Sequence, residues 1–133
     1  MNISFDCFNN SDALNIGLKI IQKVEREGLK PVRIRIVLNG DIVFQYLMPG
    51  KSGVEWLDKK QKTVEKFKMS SYEVYLKHIE VEDDSYALCG GGYPLLINNE
   101  ICGCIIVSGL RHDEDHQLIV DVLEEYKDES NRK

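Results

Sequence analysis

The sequence lacks any apolar run near the roughly 20 residues that a helix needs to cross a bilayer. Its first residues, Met1 to Phe5, contain neither the charged nor the apolar segment of a signal peptide. Positive charge is not in excess either, since 17 Lys and Arg stand against 22 Asp and Glu, for a formal net charge of −5. We therefore expect no membrane partner and no nucleic-acid partner, because non-specific binding to nucleic acid needs a dominant positive field.

The four cysteines lack the spacing of a common metal site. None of the four cysteines belongs to the Cys-x-x-Cys pairs of common zinc sites. Cys102 and Cys104 alternate on a predicted strand, where two such residues are poorly placed to bond each other. In the absence of an export signal, we expect Cys7, Cys89, Cys102 and Cys104 to be reduced thiols in the cytoplasm.

The 133 residues also contain no repeat, low-complexity tract or linker. Hydrophobic residues make up 43% of the chain and charged residues 29%, which is ordinary for a globular protein. A chain of this length fits one core, so we expect a single domain over residues 1–133.

Hydrophobic periodicity and turn residues predict an α/β chain. Helices are expected from Asn9–Asp12 to about Glu27, across the stretch that includes Leu57 and Phe67, and from His112 onward. Two hairpins are expected, the first turning at Asn39-Gly40 and the second at Asn98–Glu100. The predicted strands are residues 31–38, 42–48, 86–89, 94–97 and 101–108.

The first predicted helix is more apolar than one buried face requires. One stripe at helical spacing is widened by a second set of apolar side chains, so that the helix is expected to be covered on two sides. This predicts a subunit contact and a homo-oligomer, a dimer or larger. The stripe is Ala13, Ile16, Gly17, Ile20 and Val24, and the second set is Leu14, Leu18 and Ile21.

The strongest candidate ligand site is the turn Gly90-Gly91-Gly92, which precedes Tyr93-Pro94. Consecutive glycines permit positive φ and close approach of a ligand, so their N–H groups are able to hold an anion. The structural alternative is a tight connection between strands.

A second candidate is a local concentration of positive charge at Lys59, Lys60 and Lys62, with Thr63 beside it. Such a cluster indicates either a solvated helix face or a site for carboxylate or phosphate groups, with the threonine as a hydrogen-bond donor.

A third candidate is a metal site formed by His112, Asp115 and His116. The histidines are four residues apart on a predicted helix, so their rings share a face, and the aspartate lies in the same neighbourhood. Two imidazoles and a carboxylate are a plausible ligand set for zinc, nickel or iron. The alternative is that the acidic residues complement the helix dipole while the histidines pack locally.

Several of these segments together resemble the haem-degrading-domain family, also described as GlcG/HbpS-like. The similar segments are Lys60-Gln61-Lys62-Thr63-Val64, Gly90-Gly91-Gly92-Tyr93-Pro94-Leu95 and Gly103–Gly109, followed by Asp115. Their order and spacing hold over nearly the whole chain, although Ile106 stands where the family has a glycine. The match is closest to a cytosolic subgroup.

The resemblance implies a three-layer α/β/α domain around a central antiparallel sheet, with profilin-like features, usually assembled into homo-oligomers. It also implies a small-molecule ligand, an anionic cofactor or metabolite such as haem or a corrinoid. In that interpretation the pocket is lined by Gly91, Gly92 and Tyr93. Lys60 or Lys62 would pair with acidic groups of the ligand, and His112 or His116 would lie near its metal.

Two other functions remain open at this point. The first is a non-catalytic homo-oligomeric interaction or scaffold protein, whose glycines and helices shape subunit contacts. The second is an enzyme acting on a small organic substrate, for which the sequence identifies no acid–base pair and no Ser-His-Asp arrangement.

Overall fold

The computed structural model describes residues 2–131. In it a five-stranded sheet has the strand order β1-β4-β5-β2-β3. Neighbouring strands are antiparallel except β1 and β4, which are parallel. The elements are β1 Ser4–Phe5, α1 Asn10–Arg26, β2 Arg33–Leu38, β3 Asp41–Leu47, α2 Glu55–Phe67, α3 Ser71–Leu76, β4 Gly92–Ile97, β5 Glu100–Ser108 and α4 His112–Asn131.

The sheet separates two cores. On one face α1 and α4 pack on β2, β4 and β5, with Ile16, Ile34 and Ile119 fully buried among the larger set of apolar side chains. On the other face α2 covers a smaller core that includes Leu57, Val64 and Ile106, and α3 packs beside it. The predicted three-layer α/β/α arrangement around a mainly antiparallel sheet is therefore confirmed.

The start of α1 and its contact with the sheet follow from local chemistry. Asn9 accepts hydrogen bonds from the next turn while Asp12 accepts one from the Asn9 N–H, which is a capping box. Gly17 lies in the middle of this helix because the ring of Phe44 occupies the space that a Cβ would fill. The glycine, unfavourable in a helix by itself, allows α1 to lie close to β3.

Both predicted hairpins form, and each uses a two-residue turn with positive φ. The angles are 51° at Asn39 and 86° at Gly40, and 51° at Asn98 and 66° at Asn99. Asparagine and glycine tolerate this conformation, whose twist matches that of the flanking strands.

One predicted strand is wrong, and one observed strand was not predicted. Residues 86–89 are irregular, because the backbone N–H of Ala87 donates to Thr63 Oγ1 instead of a neighbouring strand. The strand missed in the sequence is β1, whose two residues are too few to show alternation. The last helix begins at His112, as predicted, and extends to Asn131.

Over residues 2–131, no helix combines the length and the apolar character that a bilayer span requires.

Candidate functional site

The glycine turn, Gly90-Gly91-Gly92, lies where α2, β5 and the start of α4 meet, and the protein itself binds much of its backbone. The N–H of Gly90 donates to His112 Nδ1 at 3.0 Å, and the N–H of Gly92 donates to Ser71 Oγ at 2.9 Å. Gly91 has a φ of 121°, and its carbonyl accepts the N–H of Val107 at 2.8 Å. Two of the N–H groups predicted to hold an anion thus have protein acceptors.

A buried ion pair supports this turn. Lys60 Nζ donates to the Val107 carbonyl at 2.9 Å and to Asp115 Oδ2 at 3.2 Å, and both charged side chains are only 3% exposed. The other carboxylate oxygen of Asp115 accepts the Leu110 N–H at 2.9 Å. Burial raises the pKa of Asp115, while Lys60 and the Leu110 amide act in the opposite direction. A Cβ at Gly91 would overlap Lys60 Nζ and the Val107 carbonyl, so the glycine makes room for the pair.

The other two residues of the predicted anion site point elsewhere. Thr63 Oγ1 donates to the Lys59 carbonyl and accepts the N–H of Ala87, each at 2.9 Å. Lys62 Nζ donates to Ser85 Oγ and lies 4.5 Å from the centre of the Tyr86 ring. The structure therefore brings Lys60 to the glycine turn, and places Lys62 and Thr63 against the irregular segment that precedes it.

His112 and His116 lie in an aromatic group with tyrosines of α3. The ring centroids of Tyr72 and His116 are 4.8 Å apart and stacked, and those of Tyr75 and His112 are 4.6 Å apart and edge-on. Burial lowers the pKa of His116, and its buried Nδ1 has no hydrogen-bond partner among the described residues.

The predicted metal set is not assembled in the described chain. Across residues 2–131, no three His, Cys, Asp or Glu side chains are grouped so as to hold a metal ion. The reason lies in the other contacts of these residues, since Asp115 is paired with Lys60 and His112 Nδ1 accepts the Gly90 N–H.

A cleft of about 270 Å³ opens beside the glycine turn, and we call it the glycine-turn cleft. Of the predicted site residues, Lys60, His112 and Asp115 line it. Sequence reasoning missed the other side chains of this cleft, notably Arg33, Trp56, Cys89 and Ser108. The one available signal was Trp56, the single tryptophan, which is 48% exposed.

A separate cavity of about 350 Å³ lies between α3 and α4, and we call it the tyrosine pocket. Tyr93 and His116 line this pocket, together with Tyr72 of α3 and Glu124 of α4. The Tyr93 hydroxyl oxygen accepts the N–H of Ile3 at 3.0 Å. Five of the predicted site residues are therefore divided between two cavities that share the aromatic group as a wall. The others line neither cavity, and they are Gly91, Gly92, Lys62 and Thr63.

Comparison with known proteins establishes the family. The sequence model of the family described as haem degrading protein HbpS-like matches residues 8–124. The UPF0303 protein YE1367 of Yersinia enterocolitica is 35% identical to this chain, covering 90% of this chain and 78% of that protein. The chain therefore belongs to the HbpS-like family, which confirms the resemblance seen in the sequence.

Solved structures agree with this assignment. The crystal structure of Ybr137w protein aligns with a TM-score of 0.86 and 30% identity, over 96% of this chain and 82% of that chain. The PduOC:heme complex aligns with a TM-score of 0.74 and 18% identity, over 89% of this chain and 94% of the other. At the lower identity the likeness shows a shared fold only.

Proposed function

We propose that this protein binds an anionic tetrapyrrole such as haem at the glycine-turn cleft. The observation that carries the proposal is the exposed indole of Trp56 at the cleft, which Arg33 also lines. Membership of the HbpS-like family supports the choice of ligand, as does a fold shared with a protein solved in complex with heme.

The cleft suits a flat ligand with acidic groups at its edge. The indole of Trp56 offers a planar apolar surface, and Lys59 Nζ lies 5.2 Å from the centre of that ring. Arg33 and Lys59 supply positive charge for carboxylates. The Arg33 guanidinium also donates to the Ser52 and Gly53 carbonyls, and Lys59 pairs with Glu55 at 3.5 Å. The cleft volume of about 270 Å³ is below the usual range for enclosed small-molecule sites. The ligand therefore inserts one edge and leaves the rest in solvent.

The side chains in this cleft do not fit the role of an axial iron ligand. Because His112 Nδ1 accepts the Gly90 N–H, the neutral ring carries its proton on Nε2, where iron would need a lone pair. Burial raises the pKa of the Cys89 thiol, which disfavours the thiolate that binds metals. The binding we propose therefore depends on the porphyrin plane and its carboxylates, and not on a bond from His112 to the metal.

Titration with hemin and with metal-free protoporphyrin IX tests this proposal. We expect a saturable change in the Soret band for both compounds, with affinities within about threefold, because the iron contributes little. Trp56→Ala should weaken binding of both by roughly tenfold, since stacking on an aromatic side chain contributes about 1–3 kcal/mol.

Two matched controls complete this test. His112→Ala should leave hemin affinity within a few-fold of the wild type, and His78→Asn changes a histidine outside the cleft. No saturable change with either compound would contradict the proposal. Binding of hemin alone, lost in His112→Ala, would instead support the predicted histidine–metal bond.

A second proposed function, self-association, is favoured by the surface of α1. Leu14 and Leu18 are 49% and 43% exposed on the side of the helix away from the core. Apolar side chains at helical spacing on a surface are typical of a contact with another helix or subunit. This observation supports the predicted homo-oligomer, in which α1 contributes to the subunit interface.

We also propose that the protein is located in the cytoplasm. The support for this is chemical, since Cys7, Cys89, Cys102 and Cys104 are all free thiols in the structure. Fractionation of cells that express the tagged protein tests the location directly.

A further inference from the structure

The tyrosine pocket, between α3 and α4, is outside the site proposed for the tetrapyrrole. Its walls combine aromatic and aliphatic side chains, such as Tyr72, Leu76, Tyr93 and Val120, with polar ones that include Asn2 and Ser70. At about 350 Å³ it is within the usual range for small-molecule sites. Its size and apolar walls therefore suit a small organic molecule.

The charged side chains that the described residues contribute to this pocket have one sign. They are the carboxylates of Glu73 and Glu124, one from each helix. Both raise the pKa of Tyr93, in addition to the larger effect of burial. An anionic ligand would be repelled here, and a cation would be attracted.

The histidine in the wall does not cancel this negative charge. Burial lowers the pKa of His116, so the ring is neutral near pH 7. Its buried Nδ1 lacks a partner in the described chain. The charges of the described lining residues are therefore those of the two carboxylates, and one of these, Glu73, is paired with Lys77 on the exposed side of the pocket.

A bare metal ion does not suit this arrangement. Within residues 2–131, Glu73, His116 and Glu124 do not form a group able to hold a metal. A cation with an apolar body can instead approach the carboxylates while its carbon chain contacts Leu76 and Val120. Its ammonium N–H groups would form charge-assisted hydrogen bonds.

We propose that the tyrosine pocket binds a small organic ammonium ion, a protonated primary amine on a short branched aliphatic chain. Glu73 and Glu124 receive the ammonium group, and the tyrosines and aliphatic side chains contact the chain. The amine takes the place of Lys77, whose Nζ lies 3.2 Å from Glu73 Oε2 in an exposed pair.

Nuclear magnetic resonance titration tests the site with 3-methylbutylammonium as the probe. We expect saturable shifts in the methyl signals of Ile3, Leu76 and Val120. The neutral alcohol and the carboxylate of the same carbon skeleton should bind at least about tenfold more weakly, because they lack the charge that the pocket attracts.

Three variants test which charged side chains determine the affinity for the amine. Glu73→Gln and Glu124→Gln should each weaken amine binding by about two- to fivefold, the range expected of partly exposed charge pairs. Lys77→Ala should strengthen binding, since it removes the internal competitor for Glu73. Glu125→Gln, at the next position of α4, is the matched control and should leave affinity unchanged.

Three results would overturn the proposal. The first is equal binding of the alcohol and the amine, which would indicate an apolar cavity without charge recognition. The second is unchanged amine affinity in the Glu73→Gln/Glu124→Gln double variant, with its spectrum showing the native fold. The third is the absence of any saturable shift for the amine.

Discussion

The ion pair between Lys60 and Asp115 joins α2 to the start of α4 beneath the glycine turn. Neither partner is accessible to solvent, so each charge is offset mainly by the other and by the Val107 carbonyl and Leu110 amide. Desolvation makes such a pair a weak source of net stability, but removing one partner leaves an uncompensated buried charge. The pair thus fixes the geometry of the turn. Replacing only one of the two residues should destabilise the fold.

We expect Lys60→Met to lower the free energy of unfolding by about 3–5 kcal/mol, because Asp115 would remain buried without its partner. Urea denaturation of the single variants and of Lys60→Met/Asp115→Leu measures the coupling. The double variant should be more stable than Lys60→Met alone. A double variant that loses the sum of the two single effects would contradict the coupling.

The same variant should show a characteristic dependence on pH. Burial holds the pKa of Asp115 above its unfolded value, so the folded state binds more protons than the unfolded state between those two pKa values. Stability therefore falls as pH rises through that window. The loss caused by Lys60→Met should be smaller near the unfolded pKa of aspartate than at neutral pH.

The sequence identifies both partners of this pair as candidate site residues without predicting that they contact each other. Residue types and spacing along the chain indicate a ligand near Lys60 and a metal near Asp115. The pairing of two side chains that are 55 residues apart depends on how α2 and α4 pack.

At the scale of elements, α2 is held to the sheet by an arginine of β2. The Arg35 side chain is 5% exposed and donates to Gln45 at 2.6 Å, to Asp58 at 2.6 Å and to Gln61 at 2.9 Å. Its planar guanidinium thus links β3 to one face of α2. Because α2 also carries Lys60, this contact helps to position the candidate site.

We expect Arg35→Lys to lower the free energy of unfolding by about 2 kcal/mol, since an ammonium cannot satisfy the same set of acceptors and leaves some of them unpaired. Thermal or urea denaturation measures this loss. Arg26→Lys, at an exposed position of α1, is the matched control and should change stability by less than about 0.5 kcal/mol. Equal effects of the two changes would contradict a structural role for Arg35.

The elements that the sequence predicted best are those with local signals. The capping box at Asn9 and Asp12 and the turn at Asn39-Gly40 act within a few residues, and both are present in the structure. The failed strand at residues 86–89 had suitable residue types, but Thr63 supplies the hydrogen bond that a neighbouring strand would have supplied. Tertiary contact therefore overrode local propensity there.

For the whole molecule, the exposed leucines of α1 lead to a prediction about assembly. Leu14→Glu/Leu18→Glu places two charges on the proposed subunit interface and should shift the protein toward the 15.3 kDa monomer. Light scattering coupled to size-exclusion chromatography measures the mass. The fold should be retained, because both side chains lie outside the core.

Leu29→Glu serves as the control for assembly. This exposed leucine lies beyond the end of α1, and its substitution should leave the mass unchanged. A wild-type protein that is monomeric over a wide concentration range would contradict the interface. So would an oligomer of unchanged mass in the α1 double variant.

By itself the sequence determined the family, the α/β class, both hairpins, the extent of α1 and the start of α4, because these depend on periodicity, caps and turns between near neighbours. Only the tertiary structure decided the contacts of the candidate residues. In the structure Lys60 pairs with Asp115, whereas Lys62 and Thr63 lie away from the glycine turn. His112 and His116 line two different cavities. The physical reason is that an unpaired buried charge is costly, so it pairs with an opposite charge that the packing of the helices and the sheet places nearby. That packing depends on the whole chain.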